Sequence, residues 1–231
     1  MNSLQVPNAQ NEIKKMWRIF AVGSCSILEL RALWPKGVPN SRPPVNLHFR
    51  ASEYGCIDEL KSAFESAALD LNVQGFNIYT VMNPISSNFA GPGYARDVDI
   101  AYRDLLLVDI DRIGDTSCPA DQQELEAALA LAKRIRDYMY DRGWGDPCVV
   151  MSGNGYHLYY VLGDVANDDE SAVLVRRTLK NLAETFNNGI VGVDTTVYNA
   201  SRITKVPGTI MRKGIATSDR PYRMAEVCDE E

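Results

Sequence analysis

The rhythm of the apolar residues from position 104 onward limits this chain to very few folds. Residues 105–111 (LLLVDID) form a short, almost wholly apolar run, the length of a buried strand rather than of a helix. A helical period takes over across 119–142, where Leu125, Ala128, Leu129, Ala132, Ile135 and Met139 share one face and Gly143 supplies the stop. Two strand-like runs follow, Cys148–Met151 and 156–162, joined by the turn Ser152-Gly-Asn-Gly155. A second helix over 168–186 carries the stripe Val175, Leu179, Leu182, Phe186, ends at Asn187-Asn188-Gly189, and leads into a last strand over 190–197. The order strand–helix–strand–strand–helix–strand is the split βαβ arrangement of an α+β domain. It predicts a sheet with the first and third strands central, the fourth beside the first, and antiparallel neighbours.

The first hundred residues read as a smaller α/β module. Strands are predicted over Ile27–Leu33 and Val45–Arg50 and over 76–82, with a helix marked by Leu60, Ala63, Phe64, Ala67 and Leu71. The Pro-rich stretch 34–44 reads as an ordered loop, and 84–97 as a second loop. This module (1–100) is expected to pack on the second (101–231) as parts of one unit. No apolar run approaches the roughly 18 residues that span a bilayer, and the polar start of the chain is no secretory signal. Five scattered cysteines (Cys25, Cys56, Cys118, Cys148, Cys228) and two histidines offer neither a disulfide framework nor zinc-knuckle spacing, so no zinc and a reducing cytoplasm are expected.

The predicted sheet order brings distant polar residues together. The end of the first core strand meets the starts of the third and fourth, where Asp109 and Asp111, His157, and Asp194 lie. Residues two apart on a strand share a face. Asp109 and Asp111 therefore project together, while Leu106, Val108 and Ile110 face the other way. Three carboxylates on one face repel one another unless a cation sits among them. Such an oxygen-rich set suits Mg²⁺ or Mn²⁺, and two such ions about 4 Å apart clamp the attacking and leaving oxygens of phosphoryl transfer. The glycine-bearing turn before His157 lets backbone N–H groups approach an anion, with Ser152 and His157 as further donors. His48, in an alternating run, reads as a half-buried strand residue.

The net charge of −6 is unusual for a nucleic-acid binder. Residues 200–223 are locally basic, with Arg202, Lys205, Arg212, Lys213, Arg220 and Arg223 against Asp219, and the chain closes on the acids Glu226, Asp229, Glu230 and Glu231. On the charge pattern by itself this is a solvated polar face. Next to Asp194, Arg202 and Lys205 are placed to neutralise phosphate charge.

These residues resemble the three motifs of archaeo-eukaryotic primases: the strand Leu107-Val-Asp-Ile-Asp111, the turn Ser152–His157 and the pair Val193-Asp194. The tail 199–209 (NASRITKVPGT) and the segment 75–84 are similar to the primase-polymerases of phages, plasmids and integrated elements, and the likeness runs over about 28–213. It implies an RRM-like catalytic core with the N-terminal module packed on it, and template-directed nucleotidyl transfer from dNTPs or NTPs. It implies Asp109, Asp111 and Asp194 as ligands of Mg²⁺ or Mn²⁺, and Ser152, His157, Arg202, Lys205 and Lys213 as nucleotide-binding residues. Its implied partners are single-stranded DNA template and primer and a replicative helicase domain or subunit. Relatives often carry a zinc element or helical module that assists initiation, and none is evident, which favours extension over initiation.

Two rival readings use the same residues. A metal-dependent nuclease or phosphodiesterase would share the carboxylates but leave Ser152, His157, Arg202 and Lys205 idle. A non-catalytic RRM-like module would read RNA with exposed sheet aromatics such as Tyr159, beside acids that repel phosphate.

Overall fold

Helix α1 (Gln5–Lys15) leads into β1 (Ile27–Leu33), β2 (Val45–Arg50), α2 (Ile57–Val73) and β3 (Asn77–Val81). The second half contains β4 (Tyr102–Arg112), α3 (Gln122–Tyr140), β5 (Cys148–Met151), β6 (Tyr156–Ala166), α4 (Asp169–Phe186) and β7 (Val191–Val193). Four short strands close the chain: β8 (Ile203–Lys205), β9 (Ile210–Met211), β10 (Arg223–Met224) and β11 (Glu226–Cys228). The computed structural model describes residues 5–24 and 26–228. Cys25 and the acids Asp229, Glu230 and Glu231 of the sequence reading lie outside the described residues.

The larger sheet has the order β11-β5-β6-β4-β7, with every neighbouring pair antiparallel. Its inner four strands take the predicted split βαβ order, and β11 extends the edge. Both faces of β4 and β6 are covered: Leu106, Val108, Ile110, Leu158 and Tyr160 on the face that α3 and α4 cover are 2% exposed or less, and Leu107 and Tyr159 on the opposite face are 2% exposed. Each helix starts on an aspartate cap. The Asp121 side chain accepts the Glu124 N–H in a reciprocal capping box, and Asp168 accepts from Ser171. A smaller sheet, β2-β1-β3-β8, carries α2, whose Phe64 packs edge-on against Phe49 of β2 at 5.5 Å between ring centres.

The strand expected over 190–197 is shorter than predicted, because Asp194 opens a turn in which its Oδ1 accepts the Thr196 N–H at 2.7 Å. The chain then leaves the larger sheet, and β8 pairs with β3 of the smaller one. Sequence reading assigned neither β8 nor the later strands. Asn72 and Asn77 complete the join: each exchanges two bonds with the backbone of the C-terminal segment, Asn72 with Ile210 and Asn77 with Arg212. Residues beyond Asp194 thus build both sheets and line the gap between them.

Candidate active site

Asp109 of β4 lies directly opposite His157 of β6, and His157 Nε2 is 3.4 Å from Asp109 Oδ1. On the other side of β4, Asp111 pairs with Gly192, and the Asp194 N–H donates to the Asp109 carbonyl at 2.8 Å. Opposed residues on neighbouring strands share a face. The three strands therefore deliver Asp109, Asp111, His157 and the backbone of Asp194 to one place, as the sheet order implied. The side chains are not yet a cage: Asp111 Oδ1 accepts the Arg112 N–H at 2.8 Å, and Asp194 Oδ1 is turned to Thr196. Among the described residues no three His, Cys, Asp or Glu side chains enclose a metal position.

Local sequence accounts for the register. Gly155 packs so tightly on β4 that a Cβ there would stand 2.1 Å from the Ile110 carbonyl oxygen, and Gly153 has φ of +104°. No larger residue fits the first, and only glycine takes the second without strain. Ser152 closes the turn on itself, its N–H and Oγ both meeting the Gly155 carbonyl while its Oγ accepts the Gly155 N–H. Asn154 accepts the Ala120 N–H at 2.9 Å and so ties the turn to the start of α3. On the opposite edge, Asn187 and Asn188 accept N–H groups of Val193, Ile190 and Val191, which hold β7 beside β4.

The electrostatics divide the two aspartates of β4. Burial opposes ionisation of Asp109, but His157, Arg202 and Lys213 together hold its carboxyl below the ordinary carboxylate range. Asp111 is raised, first by burial and then by the charge of Asp109, against a partial offset from the Arg112 N–H and Lys213. Two close carboxylates that cannot both ionise comfortably form a site for a cation. Arg202 reaches this field with one hand tied: its Nη2 donates to the Thr196 carbonyl at 2.6 Å, while its buried Nε has no hydrogen-bond partner.

The basic stretch separates into two groups. Arg202 and Lys213 act on the carboxylates. Lys205 is 2% exposed, donates to Thr209 Oγ1 at 2.7 Å and the Ile210 carbonyl at 3.3 Å, and lies over the Tyr79 ring. Burial holds its ammonium well below the ordinary lysine range. Arg212 caps the Phe76 carbonyl, Arg220 pairs with Asp121 and Glu124, and Arg223 donates to the Ala120 carbonyl. These last three are internal braces rather than the solvated face that the charge pattern suggested. His48 is a strand residue bonded to buried Glu29, as expected. Tyr159 is 2% exposed, so it is no platform for a base. Tyr79, which sequence reading passed over, is pushed up to about 12 by burial, with the nearby Asp109 charge adding to the shift. Its alternating strand carried no signal of that neighbour, which comes from the other sheet.

No protein-family model matches this sequence, and no curated protein sequence is detectably similar to it. The structure superposes on that of the primase RepB' with a TM-score of 0.52, at 15% identity over 96% of this chain and 56% of that one. The chain thus spans little more than half of the RepB' chain. It superposes equally, at a TM-score of 0.52, on the polymerase domain of Mycobacterium tuberculosis ligase D solved in complex with DNA. That match has 17% identity and covers 94% of this chain and 80% of the other. The chain therefore has the fold shared by these primase and polymerase domains, and its likeness to the primase-polymerases, first seen in three short motifs, extends to its whole architecture.

Proposed function

We propose that this protein is a primase-polymerase that adds nucleotides to a DNA primer on a DNA template. The observation that supports this best is the pairing of Asp109 with His157, with Asp111 beside them on β4, the backbone of Asp194 bonded to Asp109, and the charges of Arg202 and Lys213 acting on the carboxylates. The donor set fits a hard divalent cation: oxygen ligands only, two of them in mutual repulsion. Asp109, Asp111 and Asp194 would hold Mg²⁺ or Mn²⁺, which when bound supplies charge neutralisation and activation of the primer hydroxyl. His157, Arg202 and Lys213 are assigned to the triphosphate, with Ser152 and Lys205 behind them, since both are engaged in the fold. Arg202 brings a guanidinium to the carboxylates with only its Nη2 donating inside the fold, to the Thr196 carbonyl. A nuclease would share the carboxylates but needs no pocket for a triphosphate. The two sheets act as one catalytic unit, since the segment after Asp194 belongs to both. A replicative helicase is the expected partner. Among the described residues no helix is long and apolar enough to cross a membrane.

The test is incubation of the purified protein with a primed single-stranded DNA, labelled dNTPs or NTPs, and Mg²⁺ or Mn²⁺. Extension of the primer by the nucleotide that complements the template is expected, and a chelator abolishes it. Shortening of the DNA without extension would replace this reading with the nuclease.

A further inference from the structure

We infer that Tyr159 and Thr204 are positioning residues for His157: their hydroxyls fix the imidazole ring with Nδ1 as acceptor, so that Nε2–H faces Asp109 and the phosphate side. The consequence for nucleotide binding rests on the function proposed above. The lock on the ring does not.

The geometry is a chain of buried polar groups that runs between the two sheets. His157 Nδ1 is 3.0 Å from the Tyr159 hydroxyl and 3.3 Å from Thr204 Oγ1, and the two hydroxyls are bonded to each other. Tyr159 and Thr204 are both 2% exposed. At the other end of the ring, Nε2 is 3.4 Å from Asp109 Oδ1. An ionised carboxylate only accepts, so Nε2 must carry a hydrogen. With the hydrogen on Nε2, Nδ1 is the acceptor set between the two hydroxyls, and a buried acceptor left without a donor is costly. The Tyr159 phenol supplies it, and burial keeps that phenol protonated. The phenol oxygen in turn accepts from Thr204. In this arrangement hydrogen bonds run from Thr204 to Tyr159 to His157, whose Nε2–H faces Asp109 at 3.4 Å.

The chain also joins the two sheets. Thr204 stands on β8 of the smaller sheet, while Tyr159, His157 and Asp109 stand on β6 and β4 of the larger one. Thr204 is two residues from Arg202, so a single short segment carries both a phosphate-side cation and the anchor of the histidine. Neither Tyr159 nor Thr204 has surface to offer a nucleotide, which makes their effect indirect, through the ring.

His48 and His157 are the only histidines, so ¹⁵N-histidine labelling gives two ring systems and one internal control. In the nucleotide-free protein, His157 is expected to show a protonated Nε2, a hydrogen-bonded Nδ1 acceptor, and an Nε2–H resonance slow to exchange with water. In Tyr159→Phe/Thr204→Val that resonance disappears while the His48 signals stay. The nucleotide KM rises about tenfold, the scale of a lost buried hydrogen bond, with kcat little changed. Tyr159→Phe alone has a smaller effect, because Thr204 is close enough to donate to Nδ1 itself, and Thr204→Ser behaves as wild type. If the double variant does not fold, Tyr159→Phe carries the test, since it must change the Nδ1 shift. A wild-type ring protonated at Nδ1 would overturn the inference. So would variants with an unchanged Nε2–H resonance and unchanged KM. A locked ring in a protein that incorporates no nucleotide would uphold the positioning and overturn the proposed function.

Discussion

His157 is expected to be worth more to the reaction than to any other property of the chain. His157→Ala should lower incorporation about a hundredfold, the loss of a charge-assisted contact of ~1.5–3 kcal/mol. It should also cost stability, about 1–3 kcal/mol by denaturant titration, because the buried Tyr159 hydroxyl loses its acceptor. Lys205 presents the opposite case. Its ammonium is buried without a carboxylate among its bonded partners, and its pKa is depressed below the ordinary 10.5. A base depressed in the fold weakens stability below its folded pKa, and the penalty fades as pH rises toward 10.5. Lys205→Met should therefore melt higher than wild type at neutral pH, with the gap closing as the buffer is made alkaline. Melting curves across that range check the sign. Proximity to Asp194 in sequence pointed Lys205 toward the phosphates but says nothing about side-chain direction; on the edge strand β8 its ammonium is bonded inside the fold, behind the other cations.

At the scale of elements, the turn that feeds β6 is the most exacting part of the fold. Gly155→Ala puts a methyl group against the backbone of β4, and must cost at least the 1–3 kcal/mol typical of overpacking, roughly, while displacing His157 from Asp109. The start of α3 is braced by Glu124, which accepts from Arg220, Asp121 and Arg112. These bonds overcome burial and hold its carboxyl at about 2 rather than 4.5. A depressed acid stabilises above its unfolded pKa, so this contribution is complete above pH 4.5 and drains away as pH falls toward 2. Glu124→Gln should lower the melting temperature at pH 6 and approach wild type near pH 2.5. Both helices and β4 to β6 were legible because each writes its period over many residues. Helix α1 was not, since among its described side chains Ile13 is the one apolar residue deeply buried in a polar stretch. β8 was not either, because three residues, Ile203–Lys205, are too few to show a period and its pairing with β3 is settled by tertiary contact.

For the whole molecule, the net charge of −6 sets the expectation for template binding. Within the basic stretch 200–223 only Arg202 and Lys213 act on the carboxylates, and both are assigned to the triphosphate, so a log–log plot of DNA affinity against salt should have a shallow slope, no steeper than about −2. Fluorescence anisotropy with a labelled primed template measures it, and a slope several times steeper would reveal a basic track elsewhere on the surface. The three motifs were readable, and so was their meeting point, because sheet order follows from the order of elements. What sequence could not supply was the second sheet's share in the site, through Tyr79, Thr204 and the segment that carries Arg202. Nucleotide transfer at the β4 carboxylates is put to the test by Asp111→Asn. This placement of the chemistry requires that the variant lose template-directed incorporation, yet fold as wild type does and melt no lower without metal, since the repulsion from Asp109 is gone. An Asp111→Asn protein that extends a primer at the wild-type rate would contradict it.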